Sequence, residues 1–266
     1  MKKNDFKLLT FTHVDTSTAV KVDPVMISDL AKKYNVISIL DGVCSVAGEE
    51  IRQDEWGIDV VLTASQKAIG VPPGLALLVA SKKAMEAWRN RKSKVQNYYA
   101  DWTSWFPIME AYEQRRASYF GTPAVNLVQG LEASLRIILE EGMEKRFARH
   151  RLMSRAFRKA ITAMGLEMLP IHENFMASTL SAIYYPDNAS GADIIQGINQ
   201  EGVIVAGGLL PGISSKYFRV GHMGSVNRSD IMSTLAAIET SMIANGLKIP
   251  AGTSLSAAQD FLIKEL

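Results

Sequence analysis

Three short, predominantly apolar runs do most to limit how this chain folds. They are Val36-Ile37-Ser38-Ile39-Leu40, Ile58 to Ala64, and Leu75-Ala76-Leu77-Leu78-Val79-Ala80. Each has the length of a strand and lacks the polar alternation of a half-exposed one, so each reads as a strand covered on both faces. Asp23-Pro24 opens a helix between the first run and an earlier strand at 6–12, with Asp as N-cap and Pro in the first turn. The opening is therefore βαβ, and the class is α/β around a mixed, mostly parallel sheet. Between the second and third apolar runs stands Ser65-Gln66-Lys67-Ala68-Ile69-Gly70-Val71-Pro72-Pro73-Gly74, a connection that its prolines and glycines keep from becoming a helix.

The chemistry-bearing residues sit where those runs end. Asp41 closes the first run, and Lys67 follows the second. A lysine just past a buried strand is partly desolvated and available as a nucleophile, although most strand-end lysines are solvated loop residues. A strand-end acid and a strand-end lysine together suit pyridoxal phosphate, which needs a lysine for covalent attachment and an aspartate to keep its ring nitrogen protonated. The surrounding residues sharpen this reading: Thr12-His13-Val14-Asp15-Thr16-Ser17-Thr18, Leu40-Asp41-Gly42-Val43-Cys44-Ser45, Trp56-Gly57-Ile58-Asp59, Ala64 to Ala68 and Pro72-Pro73-Gly74 occur in this order. Tyr119-Phe120-Gly121-Thr122-Pro123 and Phe218-Arg219-Val220-Gly221-His222-Met223-Gly224 follow them. Together these motifs resemble the class V branch of the fold-type I aminotransferases, most closely the fungal-type alanine–glyoxylate aminotransferases.

The resemblance implies roles, residue by residue. Lys67 carries the cofactor and moves the proton at the substrate α-carbon. Asp41 pairs with the ring nitrogen, Val43 lies against one ring face, and Thr16 bonds the phenolic oxygen. Gln66 and, more weakly, Ser65 bond the phosphate. Tyr119 and Thr122 reach the phosphate of a neighbouring subunit, which implies a homodimer. Arg219 clamps the substrate carboxylate, a role that its planar fork suits. The expected reaction is alanine plus glyoxylate to pyruvate plus glycine, with a serine-type aminotransferase as the alternative. A cysteine desulfurase is disfavoured, because the single Cys44 stands three residues after Asp41 rather than on a mobile loop. The relatives' Gly-rich phosphate loop, ring-stacking aromatic and N-terminal arm have no counterpart here, as in a chain lacking its N-terminal part. A non-catalytic remnant unable to retain the cofactor is therefore a further alternative.

Domain and partner expectations follow. Residues 1–141 read as the C-terminal portion of the large cofactor-binding domain and 142–245 as a smaller α/β domain. Residues 246–266 read as a linker and a short amphipathic helix for which the resemblance gives no role. Helices are expected at 107–114, 124–141, 143–164, 191–201 and 228–244, strands near 179–185, 203–206 and 217–221, and an aromatic-rich surface loop at 92–106. The basic residues Lys145, Arg146, Arg149, Arg151, Arg155 and Arg158 read as a solvated helix face. A net charge of +2 without a basic stripe gives no reason to expect a nucleic-acid partner, and no apolar run reaches membrane-spanning length. His13 and His222 lack partners at metal-ligand spacing and read as structural. One cysteine allows no internal disulfide, which suits an intracellular setting, cytoplasmic or organellar.

Overall fold

The computed structural model describes residues 6–187 and 189–265. Its first sheet has the order β1-β2-β3-β4, formed by Leu8–Thr12, Ile37–Asp41, Val60–Ala64 and Ala76–Ala80. β1, β2 and β3 run parallel, and β4 returns antiparallel beside β3. The crossover from β1 to β2 is α1, Pro24–Lys33. Asp23 caps it by accepting from the amides of Val25 and Met26, with Pro24 in the first turn, as the sequence predicts. Asp59, buried just before β3, binds this layer together: it accepts from the Ser38 amide and hydroxyl, from Ser81 Oγ and from Lys83 Nζ. The short α2 (Gln53–Trp56) precedes it, and α3 (Lys82–Arg89) follows β4 from a Ser81 cap.

The 92–106 segment departs from expectation. Residues 102–106 are helical, the first part of α4, Trp102–Glu113, which starts from an Asp101 cap and carries Pro107 inside it. The aromatic residues taken for loop chemistry are packing chemistry. Trp88 of α3 meets Trp102 and Phe106, and Arg91 lies over the Trp88 ring.

α5 (Val125–Glu141) and α6 (Met143–Ala163) meet at Gly142, whose φ of +81° suits glycine at the break. Beyond them lies a second, antiparallel sheet of order β5-β7-β6: Leu180–Tyr184, Tyr217–Gly221 and Ala206–Gly207. β6 is shorter and later than the strand expected at 203–206, pairing with β7 only through Ala206 and Gly207. α7 (Gly191–Gln200) and α8 (Arg228–Ala244) complete this layer.

The largest core lies here, with Phe157, Ile161, Ile183, Ile194, Ile198, Phe218, Leu235 and Ile238 all fully buried. α9 (Thr253–Lys264), the helix without a role in the resemblance, belongs to it: Ala258 and Leu262 are buried in the same cluster. Glu239 of α8 caps α9 by accepting from the amides of Gly252 and Ser254. Among the described residues no helix is long and apolar enough to cross a membrane.

Candidate active site

Parallel strands end together, so β1, β2 and β3 deliver three loops to one edge of the sheet. Asp41 is the last residue of β2, half-buried, and its Oδ1 accepts from the Val43 amide at 3.0 Å. It makes no ion pair among the described residues. Gly42 follows, and a Cβ there would come within 2.7 Å of Val46 Cγ2 in the same turn and 3.1 Å of the Leu62 carbonyl of β3, so the turn needs glycine at this point. Val43 is partly buried beside Val14, Cys44 and Ala177.

The loop after β3 is tied at both ends and at several of its carbonyls. Ser65 N donates to Leu75 O, Val71 N to Ser65 O, and Gly70 N to Lys67 O. Ser65 Oγ donates to Pro72 O at 2.8 Å and accepts from Leu75 N at 3.2 Å. Ala68 O accepts from Arg146, and Ile69 O from the Ser134 hydroxyl. The side chains behave differently. Lys67 is half-buried and Gln66 exposed, and neither makes a side-chain hydrogen bond or ion pair among the described residues. A fixed backbone thus presents an unoccupied amine. Ser65, fully buried and committed to its own loop, works as a structural staple, which is not what its expected phosphate contact requires.

Thr16 lies in the loop after β1, its Oγ1 2.9 Å from Cys44 Sγ. Arg219 of β7 reaches it from the second sheet: Nη1 donates to Thr16 O at 2.9 Å and Nε to Gly207 O at 2.8 Å. The structure therefore brings Arg219 beside the Thr16 loop, while Asp41 and Lys67 share the same sheet edge. Tyr119 and Thr122 stand apart on an exposed segment, hydrogen-bonded to each other at 2.9 Å.

His13 and His222 are both buried. His222 accepts from the Ser181 hydroxyl at Nε2 and donates from Nδ1 to Ser178 O, and burial lowers its pKa to about 3. His13 is buried with Nδ1 unpartnered, its pKa lowered to about 4 by burial and then by Lys21. The described residues hold no cluster of His, Cys, Asp and Glu fit for a metal ion.

The basic face of α6 is where expectation fails most usefully. Lys145, Arg151 and Arg155 are exposed, but Arg146 is buried, Arg149 is half-buried, and Arg158 donates to Ala177 O. Arg146 and His150 share a helix stripe with Met153 and Phe157, and that shared spacing was the available signal.

The class V aminotransferase family model matches residues 2–228. The chain belongs to the class V aminotransferases. Alanine–glyoxylate aminotransferase 1 of Saccharomyces cerevisiae is 40% identical over 231 residues, covering 84% of this chain and 59% of that protein. Serine–glyoxylate aminotransferase of Arabidopsis thaliana is 32% identical over 264 residues, 98% of this chain and 64% of that one. The chain thus spans about three fifths of these relatives' length. Among solved structures, pyridoxamine–pyruvate aminotransferase of Mesorhizobium loti superposes with a TM-score of 0.87 at 27% identity, over 98% of this chain and 66% of that one. Ureidoglycine–glyoxylate aminotransferase of Bacillus subtilis does so at 0.85 and 27%, over 96% and 65%. The fold is that of the fold-type I aminotransferases, whose cofactor is pyridoxal phosphate. The donor set at the sheet edge fits that group: an amine and a carboxylate, each free of ion pairs among the described residues, at the ends of neighbouring strands.

Proposed function

We propose that this chain supplies most of an aminotransferase that uses pyridoxal phosphate to convert alanine and glyoxylate to pyruvate and glycine. The observation that carries the reading is the Lys67 loop, whose backbone is fixed while its amine is left unpaired. Bound pyridoxal phosphate would supply an electron sink for charge developing at the substrate α-carbon. Lys67 would hold the cofactor and, when freed, carry the proton at that carbon. Asp41 would keep the ring nitrogen protonated, Val43 would face the ring, and Thr16 and Gln66 would bond its oxygens. Arg219 would turn its fork from the Thr16 and Gly207 carbonyls to the substrate carboxylate.

The choice of alanine and glyoxylate draws on the yeast relative, the more similar of the two described above. Serine is the second donor reading, because the Arabidopsis relative acts on it and matches 98% of this chain. On the same reading residues 1–141 belong to the large cofactor domain and 142–245 to the small one. Tyr119 and Thr122 would meet the partner's cofactor in a homodimer, and the free, buried Cys44 suits a reducing compartment. Light scattering of the purified protein tests the dimer.

The chemistry is tested by adding pyridoxal phosphate, reducing with borohydride and mapping the peptides. The adduct is expected on Lys67, and an adduct on any other lysine overturns the assignment. A screen of alanine, serine and glutamate against glyoxylate and pyruvate then tests the substrates. If serine with pyruvate gave the higher kcat/KM, the named reaction would be wrong while the class survived.

A further inference from the structure

Three backbone segments far apart in sequence converge on one stretch of α6. Arg146, 2% exposed, donates from Nε to Ala47 O at 2.8 Å and from Nη2 to Ala68 O at 2.6 Å. Its Nη1 meets Glu141 Oε2 at 2.7 Å. Arg149 binds the same carboxylate from Nε at 2.6 Å and from Nη2 at 2.9 Å. Its Nη1 and Nη2 also donate to Val226 O and Gly224 O at 2.7 and 3.0 Å. His150 completes the set, donating from Nδ1 to Arg146 O and accepting the Gly224 amide at Nε2, 3.0 Å away. Gly224 in turn packs on the lysine loop, where a Cβ added to it would stand 3.6 Å from Ala68 O and 4.0 Å from Lys67 O. Hydrogen bonds from Arg149 and then Arg146 hold the Glu141 carboxyl down at about 2, so it stays an anion.

We propose that Glu141, Arg146, Arg149 and His150 form a positioning device that fixes the Lys67 loop against the Gly224 loop and so aims the Lys67 amine. The inference rests on Lys67 being the cofactor-bearing residue. Lys67 O is held by Gly70 N and Ala68 O by Arg146, so the two peptide planes that follow Lys67 cannot rotate. That steadies the backbone from which its side chain leaves. The rigid, planar guanidinium is essential: Arg146 meets three acceptors on three segments at once, whereas an ammonium has no such fork. Burying a charged cluster adds little net stability over apolar packing of the same volume. What the cluster adds is geometry, and the geometry is spent on the two loops that flank Lys67.

The test compares Glu141→Gln, which keeps shape but drops the charge at a partly exposed site, with Arg146→Lys, which keeps charge but loses the fork. Amide exchange of the cofactor-free chain is read at Gly70 and Val71 and, as reference, along the β5–β7 ladder. Trapping of pyridoxal phosphate on Lys67 is read relative to exposed Lys248. Exchange at Gly70 and Val71 is expected to rise about tenfold in both variants while the ladder keeps its protection. Trapping on Lys67 should fall by roughly the same factor relative to Lys248, as for a displaced reacting group. Exchange at Gly70 and Val71 that matched the wild type in both variants would overturn the proposal. So would exchange rising equally in loop and ladder, which is plain loss of stability. Trapping of the wild type on another lysine refutes the role of Lys67 instead, a result separate from the exchange comparison, which involves no cofactor.

Discussion

Acidification from pH 7 to pH 5 should bring this chain close to unfolding. His13 and His150 are held neutral with pKa values lowered from 6.5 to about 4, and His222 to about 3, burial being the first cause in each. The sign follows from linkage. In the unfolded chain these rings take protons near 6.5, and in the folded chain only below 4. Stability is therefore full above about pH 6.5 and is lost as pH falls from there towards the folded values. At pH 5 all three stay neutral when folded and are almost fully charged when unfolded. Each then costs about 2 kcal/mol, at about 1.36 kcal/mol per pH unit. This figure barely depends on how far below 5 the folded values lie. Three such residues remove roughly 6 kcal/mol, against a typical domain stability of about 5–15 kcal/mol. Urea midpoints measured from pH 7.5 to 5 give the assay, with imidazole NMR to follow each ring. A midpoint constant over that range, or a His222 ring titrating near 6.5 in the folded chain, would refute the reasoning.

Other outcomes follow from single contacts. Ser65→Ala leaves Pro72 O and Leu75 N without their side-chain partner and should cost about 1–3 kcal/mol, read by urea unfolding; an unchanged midpoint would show the staple to be idle. Leu262→Ala opens the core that α9 closes and should cost about 2–5 kcal/mol, whereas a change near zero would mean α9 is only loosely docked. Arg219→Lys keeps the charge but loses the fork, so KM for the amino acid should rise with a loss of about 2–5 kcal/mol in binding; unchanged steady-state kinetics in Arg219→Ala would remove it from the site.

The strand ends and their cargo were legible in the sequence because they depend on local signals. Apolar runs of that length mark strands, although Leu78 and Val79 of β4 stand exposed rather than covered on both faces, and Asp23-Pro24 marks a helix start whatever surrounds it. The same is true of Asp41 and Lys67, which needed only the ends of those runs. The misses depend on tertiary neighbours. Residues 102–106 read as loop ahead of a helix expected from Pro107, although Trp102, Trp105 and Phe106 stand at i, i+3 and i+4, and α3 packs on them through Trp88. Arg146 and Arg149 read as solvated because charge suggests exposure, and the acceptors that pay for their burial lie at 47, 68, 224 and 226. Ser65 looked like a ligand for the cofactor because it neighbours the lysine, but the closing of its own loop claims both sides of its hydroxyl.

The Arg146–Ala68 hydrogen bond also has a consequence in time. Its two partners lie 78 residues apart, and Gly224 lies 74 beyond His150. A ribosome adding about 5–20 residues per second makes the β3–β4 hairpin well before the residues that secure its loop exist. For several seconds the nascent chain carries Lys67 on a tether closed only by Ser65 and the ladder. The loop reaches its final form only when the chain has grown past residue 226, about 150 residues after the hairpin itself.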